Sequence, residues 1–320
     1  MKPISKPGCY ALRAEVYHQD PVRVPSLSRS IAQILLTATP RRAWMHHPRL
    51  NPNFKDQRAG KNMDLGSVAH TLMLNDGAPV RVIKAENYKG FAAQRARDVA
   101  NASGDIPILR ADYERVKVMV AAGREQLMCH ESAADAFVDG APEQTLVWKE
   151  KIEGRTVWCR ARLDWRPPLG GWLNDFKTTA VSTPEAWINR VLYPEGLDLQ
   201  AAMYKRGYTA VFGVPPAGFR FVVMNIEEPF ELFTVVLSNA DIDMAGRDLE
   251  HAMALWGWCM AENKWPGFQK RDYVARRTGW RERVTLERED REYSAKAAGE
   301  DLRRLMIDWQ APLDRKGKAA

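Results

Sequence analysis

Residues 156–179 alternate apolar and polar side chains, break at a proline–glycine turn, and resume as a second apolar segment. Val157, Cys159, Ala161 and Leu163 alternate with Trp158, Arg160, Arg162 and Asp164, the two-residue period of a strand with one apolar and one polar face. Pro167-Pro168-Leu169-Gly170-Gly171 supplies the turn, and residues 172–176 read as the next strand. Asp164 then ends the first strand on its polar face. In the second strand Asp175 and Lys177 share a face while Phe176 points the other way. A hairpin of this kind brings Asp164 beside Asp175, so that two carboxylates and an ammonium converge at the end of one sheet.

Hard divalent cations suit such a convergence. Mg²⁺ takes one or two carboxylates and leaves positions for water and phosphate oxygens. A cation there acidifies a water, and a neighbouring lysine positions or helps deprotonate that water and neutralises phosphate charge. The D-x-K tripeptide alone also fits an ordinary charged ladder on a hairpin.

Around this hairpin the pattern is mixed. Residues 1–62 read as loop and short helix, with Ser28 and its neighbours capping residues 31–36 and Pro40 stopping that helix. Residues 64–74 carry Leu65, Val68, Ala69 and Leu72 as one helical stripe. Residues 78–140 read as helical, with a loop at 103–107. Strands are expected at 145–152, 156–164, 172–176, 219–226 and 232–237. Helices are expected at 183–192, 197–212, 239–263 and 280–309, followed by a frayed tail from Asp314. That order predicts an α/β core with a mixed sheet and an N-terminal helical elaboration.

Bulk composition narrows the class. The 45% apolar and 27% charged content is that of a folded globular chain. No apolar run approaches the ~20 residues that span a bilayer, and the N-terminus lacks a signal-peptide core, so a cytoplasmic protein with no membrane partner is expected. Cys9, Cys129, Cys159 and Cys259 are dispersed, without metal-binding spacing. The net charge is +7, yet residues 1–62 hold eleven Lys/Arg against three Asp/Glu. A basic surface gathered in one region favours a polyanion, since each neutralised phosphate releases counterions.

Ordered motifs extend beyond the tripeptide. Gly66-Ser67-Val68-Ala69-His70 forms G-x-x-x-H on a helix, Asp164 closes a strand, Asp175-Phe176-Lys177 follows on the next, and Gln200-Ala201-Ala202-Met203-Tyr204 forms Q-x-x-x-Y. In this order they resemble the PD-(D/E)XK nuclease superfamily, in the branch of RecE-type exonuclease VIII, lambda exonuclease and the RecB nuclease domain. Residues 28–52, with Thr39-Pro40-Arg41-Arg42-Ala43-Trp44, also resemble the phage and prophage exonucleases.

The resemblance implies a restriction-endonuclease-like core with a mixed central sheet flanked by helices. It implies a Mg²⁺ ion, with Mn²⁺ as the alternative, held by Asp164, Asp175, the carbonyl of Phe176 and His70, with orientation of a water as the other role for His70. It further implies Lys177 on the attacking water and Gln200 and Tyr204 beside the DNA backbone. Glu143 is either a further acidic ligand or a turn residue beside Pro142. The implied activity is 5′→3′ resection of linear double-stranded DNA for recombination, with a single-strand annealing protein as partner and a ring-shaped homo-oligomer. Some relatives carry a four-cysteine iron–sulfur cluster, a pattern the dispersed cysteines do not reproduce. The expected organisation is a basic arm over 1–62, a nuclease core over 63–280, and a charged helix and tail over 281–320.

Further basic residues are candidates for DNA contacts. Arg41, Arg42, Lys55, Arg58 and Lys61 would meet phosphates. Lys270, Arg271, Arg276 and Arg277 interleave with Trp265, Phe268, Tyr273 and Trp280, a pattern that stacks bases and tracks a backbone, or that half-buries aromatics in an irregular surface. Two rival functions remain: a structure-specific endonuclease on the same core, and a DNA-binding module without catalysis.

Overall fold

The computed structural model describes residues 2–54 and 65–300. The chain divides into two compact units, Met1–Gly267 and Phe268–Ala320. The first contains, in order, β1 (Gly8–Ala11), α1 (Ala14–His18), α2 (Arg29–Thr37), α3 (Pro40–His46), α4 (Leu65–Leu74), β2 (Val80–Ile83), α5 (Phe91–Ala102), β3 (Ile106–Leu109) and α6 (Arg110–Met128). There follow β4 (Ala141–Ile152), β5 (Arg155–Arg166), β6 (Trp172–Thr179), α7 (Pro184–Trp187) running into a π turn at Ile188–Leu192, α8 (Leu197–Phe212), β7 (Gly218–Asn225), β8 (Leu232–Val236) and α9 (Asn239–Glu262). The second unit contains α10 (Gly279–Ala297). The expected continuation of that helix to Trp309 and the tail from Asp314 lie outside the described residues, as does Asp64.

Six strands form a mixed sheet in the order β1-β4-β5-β6-β7-β8. The hairpin between β4 and β5 turns on Glu153 and Gly154, both at positive φ, and its register closes at Ile152↔Arg155. Two successive positive-φ residues match the right-handed twist of the flanking strands. Parallel pairing of β6 with β7 requires a crossover, which α7, the π turn and α8 provide. Strand β7 is buried along its whole length, as a central strand covered on both faces should be.

Helices cover both faces. Phe219, Phe221 and Val223 of β7 join Leu27, Trp148, Trp187 and Trp256 in one cluster beneath α2, α8 and α9. Val222 and Met224, pointing the other way, join Phe176 of β6 and Val68, Met73, Val116 and Met119 of α4 and α6. The expected α/β core with a mixed central sheet is the observed one. At Gly207 of α8 an added Cβ would fall 2.7 Å from the Trp148 ring, so the absence of a side chain there lets α8 lie against β4.

Several expectations need correction. Residues 8–11, read as loop, form β1 on the edge of β4. The stretch read as helical over 78–140 contains β2 and β3, which pair in parallel as a separate two-stranded sheet. Strand β5 runs to Arg166, two residues beyond Asp164. Pro40 opens α3 as its first residue rather than merely ending α2, a position where a missing N–H costs nothing. Among the described residues no helix is long and apolar enough to cross a membrane.

The sheet is unevenly joined. Strands β4 and β5 pair from Ala141↔Arg166 to Ile152↔Arg155. Strands β5 and β6 share the single pair Trp165↔Asn174 and then diverge. Into the gap runs the segment before α2, where Leu27 bridges Cys159: its N–H donates to Trp158 O at 2.8 Å, and Arg160 N–H donates to Leu27 O at 2.9 Å.

Candidate active site

Asp164 and Asp175 sit where β5 and β6 part, one residue from the shared pair. Instead of a backbone carbonyl, the Asp164 carboxylate receives the Phe176 N–H, at 2.8 Å. On its other side Asp164 neighbours Glu143 of β4, which the pairs Pro142↔Trp165 and Gln144↔Leu163 bracket. Three acids on three adjacent strands therefore form one row. Glu143 has a positive φ of 53°, and it is paired with both Arg162 and His70.

His70 enters from α4. Its Nδ1 lies 3.4 Å from Glu143 Oε1 and its Nε2 lies 3.1 Å from Asp164 Oδ2, with the ring tilted over Phe176 at 6.3 Å. Burial disfavours the imidazolium, but the negative charges of Asp164 and Glu143 outweigh it and raise the His70 pKa. Burial pushes the Glu143 carboxyl up, with repulsion from Asp164 adding to it against Arg162 and His70.

Asp175 is buried at 2% exposure, and each of its oxygens has a donor: Lys177 Nζ on Oδ2 and Gln200 Nε2 of α8 on Oδ1. Burial and then the charge of Asp164 push its pKa up to about 6, against the pull of Lys177. Asp164 goes the other way. Burial resists its ionisation, but His70, Lys177 and the Phe176 N–H overcome that and bring it down to about 2. Lys177 is raised despite burial by Asp175 and Asp164, so its ammonium is firmly charged. Two adjacent acids pushed apart in this way are a frequent mark of a reactive site.

Among the described residues no three His, Cys, Asp or Glu side chains converge as a finished cation cage; they bond to one another instead. The donor chemistry nevertheless fits a hard divalent ion. The 3.1 Å between His70 Nε2 and Asp164 Oδ2 is close to the roughly 3 Å between adjacent ligands of an octahedral ion with ~2.1 Å bonds. Lys177 meanwhile supplies positive charge to the row.

Residues 46–276 match the family model described as a PDDEXK-like domain of unknown function, DUF3799. The chain belongs to this PDDEXK-like family. Among solved structures, a provisionally named exonuclease from Eubacterium rectale superposes with a TM-score of 0.52 at 13% identity, over 84% of this chain and 96% of that one. This likeness shows the shared fold, which is restriction-endonuclease-like as expected. A protein named SSO0001 aligns at a TM-score of 0.26 and 9% identity, over 71% of this chain and 85% of that one. No curated protein matches the sequence.

In this PDDEXK-like protein a cavity of about 520 Å³ is lined by Lys177 of β6 and by Gln200 and Tyr204 of α8. Ser28, Arg29 and Arg160 line it as well. Tyr204 packs edge-on to Phe219 at 6.1 Å, and burial lifts its phenol well above the usual range. Arg29 donates through Nη2 to Glu195 O at 2.8 Å, while its buried Nε has no hydrogen-bond partner among the described residues. Ser28, expected to cap a helix, makes no capping hydrogen bond through its side chain, and Arg29 has no role in the sequence reading. Arg160, expected on a polar strand face, is buried at 3% exposure. A second cavity, of about 490 Å³, opens at the Glu143–Arg162 end, with Arg13, Glu15 and Asp76 also in its wall.

Arg41 and Arg42 are exposed on α3. Lys270, Arg271, Arg276 and Arg277 are exposed in the second unit. Lys55, Arg58 and Lys61 lie outside the described residues.

Proposed function

We propose that this PDDEXK-like protein is a metal-dependent deoxyribonuclease that degrades linear double-stranded DNA from its ends. The observation that carries the reading is the meeting of Asp164, Asp175 and Lys177, with Lys177 also lining a cleft that holds Arg29 and Arg160. The reaction is hydrolysis: water's oxygen bonds to phosphorus, one P–O ester bond breaks, and the leaving oxygen takes a proton. Asp164, Asp175, His70 and the Phe176 carbonyl would hold Mg²⁺ or Mn²⁺, with Glu143 as a further acid. Such an ion, when bound, supplies positive charge beside the phosphate and acidifies a water.

The chain's own residues do the rest. Because Asp175 and Asp164 keep Lys177 protonated, its role is to orient water and to neutralise phosphate charge rather than to take the proton. Gln200 holds Asp175 in place by a hydrogen bond to Oδ1. The first cavity, where Arg29, Arg160 and Lys177 outnumber Glu195, suits a phosphate backbone better than the second, where Glu15, Asp76 and Glu143 outnumber Arg13 and Arg162. Tyr204, in the wall of that first cavity, would sit beside the backbone near the scissile phosphate. Arg41 and Arg42 would add phosphate contacts, and Lys270, Arg271, Arg276 and Arg277 would track a strand.

The exonuclease assignment, its 5′→3′ direction and a role in recombination draw on the sequence motifs; the provisional name of the Eubacterium rectale protein agrees with the first. A ring-shaped oligomer and a strand-annealing partner belong to the same reading. The test uses linear duplex labelled separately at 5′ and 3′ ends, with Mg²⁺, with EDTA, and with Lys177→Ala. Metal-dependent release of 5′ label, absent in the variant and on closed circles, is the expected result. Cutting of closed circles would make the protein an endonuclease, and salt-sensitive binding without any cleavage would make it a binding module.

A further inference from the structure

Behind the cationic wall of the cleft lies a buried polar network of which the reading above uses only Arg160. Asp20 is 2% exposed, with its backbone in the left-handed region at φ 56°. Its Oδ2 accepts the Ser26 N–H at 2.8 Å and its Oδ1 accepts the Ser26 hydroxyl at 2.7 Å. Arg160 Nη1 donates to Ser26 O at 2.6 Å and to Ser26 Oγ at 2.8 Å, and lies 3.3 Å from Asp20 Oδ1. His47 Nε2 is 3.2 Å from Ser26 O and 3.3 Å from Asp20 Oδ2. Arg49 N–H donates to His47 Nδ1 at 3.2 Å, which leaves Nε2 as the protonated nitrogen. Every polar atom of Ser26 is thereby engaged.

The arrangement is not a nucleophile with its base. The Ser26 hydroxyl points to Asp20 rather than to His47, and the Asp20 and His47 side chains have no solvent exposure. Nor is it the most economical way to stabilise a core, because burying an ion pair costs desolvation that apolar packing avoids. What it does achieve is geometric. Ser26 is fixed at three atoms, Leu27 is bridged to Cys159, and the next residues, Ser28 and Arg29, are delivered into the cleft wall opposite Lys177.

We propose that Asp20, Ser26, His47 and Arg160 are positioning residues that hold Ser28 and Arg29 against the substrate phosphate; the proposal rests on the nuclease reading. Asp20, Ser26, Ser28 and Arg29 precede the segment matched by the family model, whereas His47 and Arg160 lie within it. Arg29 has one guanidinium nitrogen on the Glu195 carbonyl and an unpartnered Nε among the described residues. Its remaining donors serve a phosphate only if the main chain two residues beyond Leu27 keeps its place.

Two measurements test this. The first compares amide hydrogen exchange in DNA-free wild type, Asp20→Asn and Ser26→Ala. At least tenfold faster exchange over residues 27–31, with residues 172–179 still protected, is expected. The second measures duplex affinity in EDTA for Asp20→Asn, Arg29→Ala and the double variant. About tenfold weaker binding is expected for each single change, with no further loss in the double. Unchanged exchange over residues 27–31, or losses that simply add, would overturn the proposal. Should Asp20→Asn fail to fold, Ser26→Ala, which removes one oxygen, carries both comparisons. If wild type neither binds nor cuts DNA, the nuclease reading falls while the exchange comparison still decides the network.

Discussion

His70 Nε2 lies 3.1 Å from Asp164 Oδ2, and that contact links α4 to the point where β5 and β6 separate. The imidazole pKa is raised there by Asp164 after burial has worked against it. Its folded pKa therefore exceeds the unfolded one, and the charged ring contributes stability that is fully present below the unfolded value. That contribution is lost as pH rises through the folded value. Urea midpoints of the metal-free protein, taken from pH 5 to 9, should fall more steeply with pH for wild type than for His70→Gln. Equal slopes would contradict the pairing.

Metal affinity should depend on pH in the opposite sense. Asp175, pushed up to about 6 by burial and by Asp164, holds a proton that a cation must displace. Below that value each pH unit should weaken Mn²⁺ binding about tenfold per displaced proton. Calorimetric titrations in two buffers of different ionisation enthalpy at pH 6 should show proton release. Absence of release would remove both Asp175 and His70 from the ligand set.

Lys177→Ala removes a donor from buried Asp175 and so lowers stability. Cleavage by the folded variant should fall by at least about 100-fold, the usual scale for losing a charged group beside the reacting phosphate. Single-turnover rates at saturating DNA are the measurement that checks it. A loss confined to affinity would place Lys177 in binding alone.

Gln200→Ala removes the donor to Asp175 Oδ1 inside the protein. A buried acceptor left short of a partner costs about 1–3 kcal/mol, readable in urea unfolding. Unchanged stability would mean that water or another donor takes its place.

Gly207→Ala probes the fold beneath the site. Its new Cβ would sit 2.7 Å from the Trp148 ring, so α8 must shift away from β4 or the indole must turn. Overpacking of this kind costs about 1–3 kcal/mol. Because Gln200 and Tyr204 ride on the same helix, cleavage should fall with stability, whereas Gly246→Ala, in open space on α9, should change neither.

Much of the site was legible because it is encoded locally. Asp175 and Lys177 are neighbours on one strand, and a tight turn joins that strand to Asp164. Gln200 and Tyr204 share a helix whose expected ends, 197 and 212, are the observed ones. Arg160 was misplaced for the opposite reason. Alternation along β5 put it on a polar face, but the partners that bury it, Asp20 and Ser26, lie more than 130 residues away. Strands β1, β2 and β3 escaped notice because each has four residues and pairs with a partner remote in sequence. Pro107 inside β3 further disguised it. Arg29 carries no motif of its own; only the wedge of residues 26–28 between two strands reveals where it points.

That wedge divides the molecule in a way its six-stranded sheet conceals. Strands β1, β4 and β5 form one ribbon and β6, β7 and β8 another, and a single backbone pair, Trp165↔Asn174, hinges them together. Among the described residues the other polar clasps across the joint run through side chains, as where the Asp164 carboxylate accepts the Phe176 N–H. What keeps the two ribbons in register is therefore packing rather than a backbone ladder: Leu163 of β5, Leu173 of β6 and Phe219 of β7 share one buried cluster across the joint.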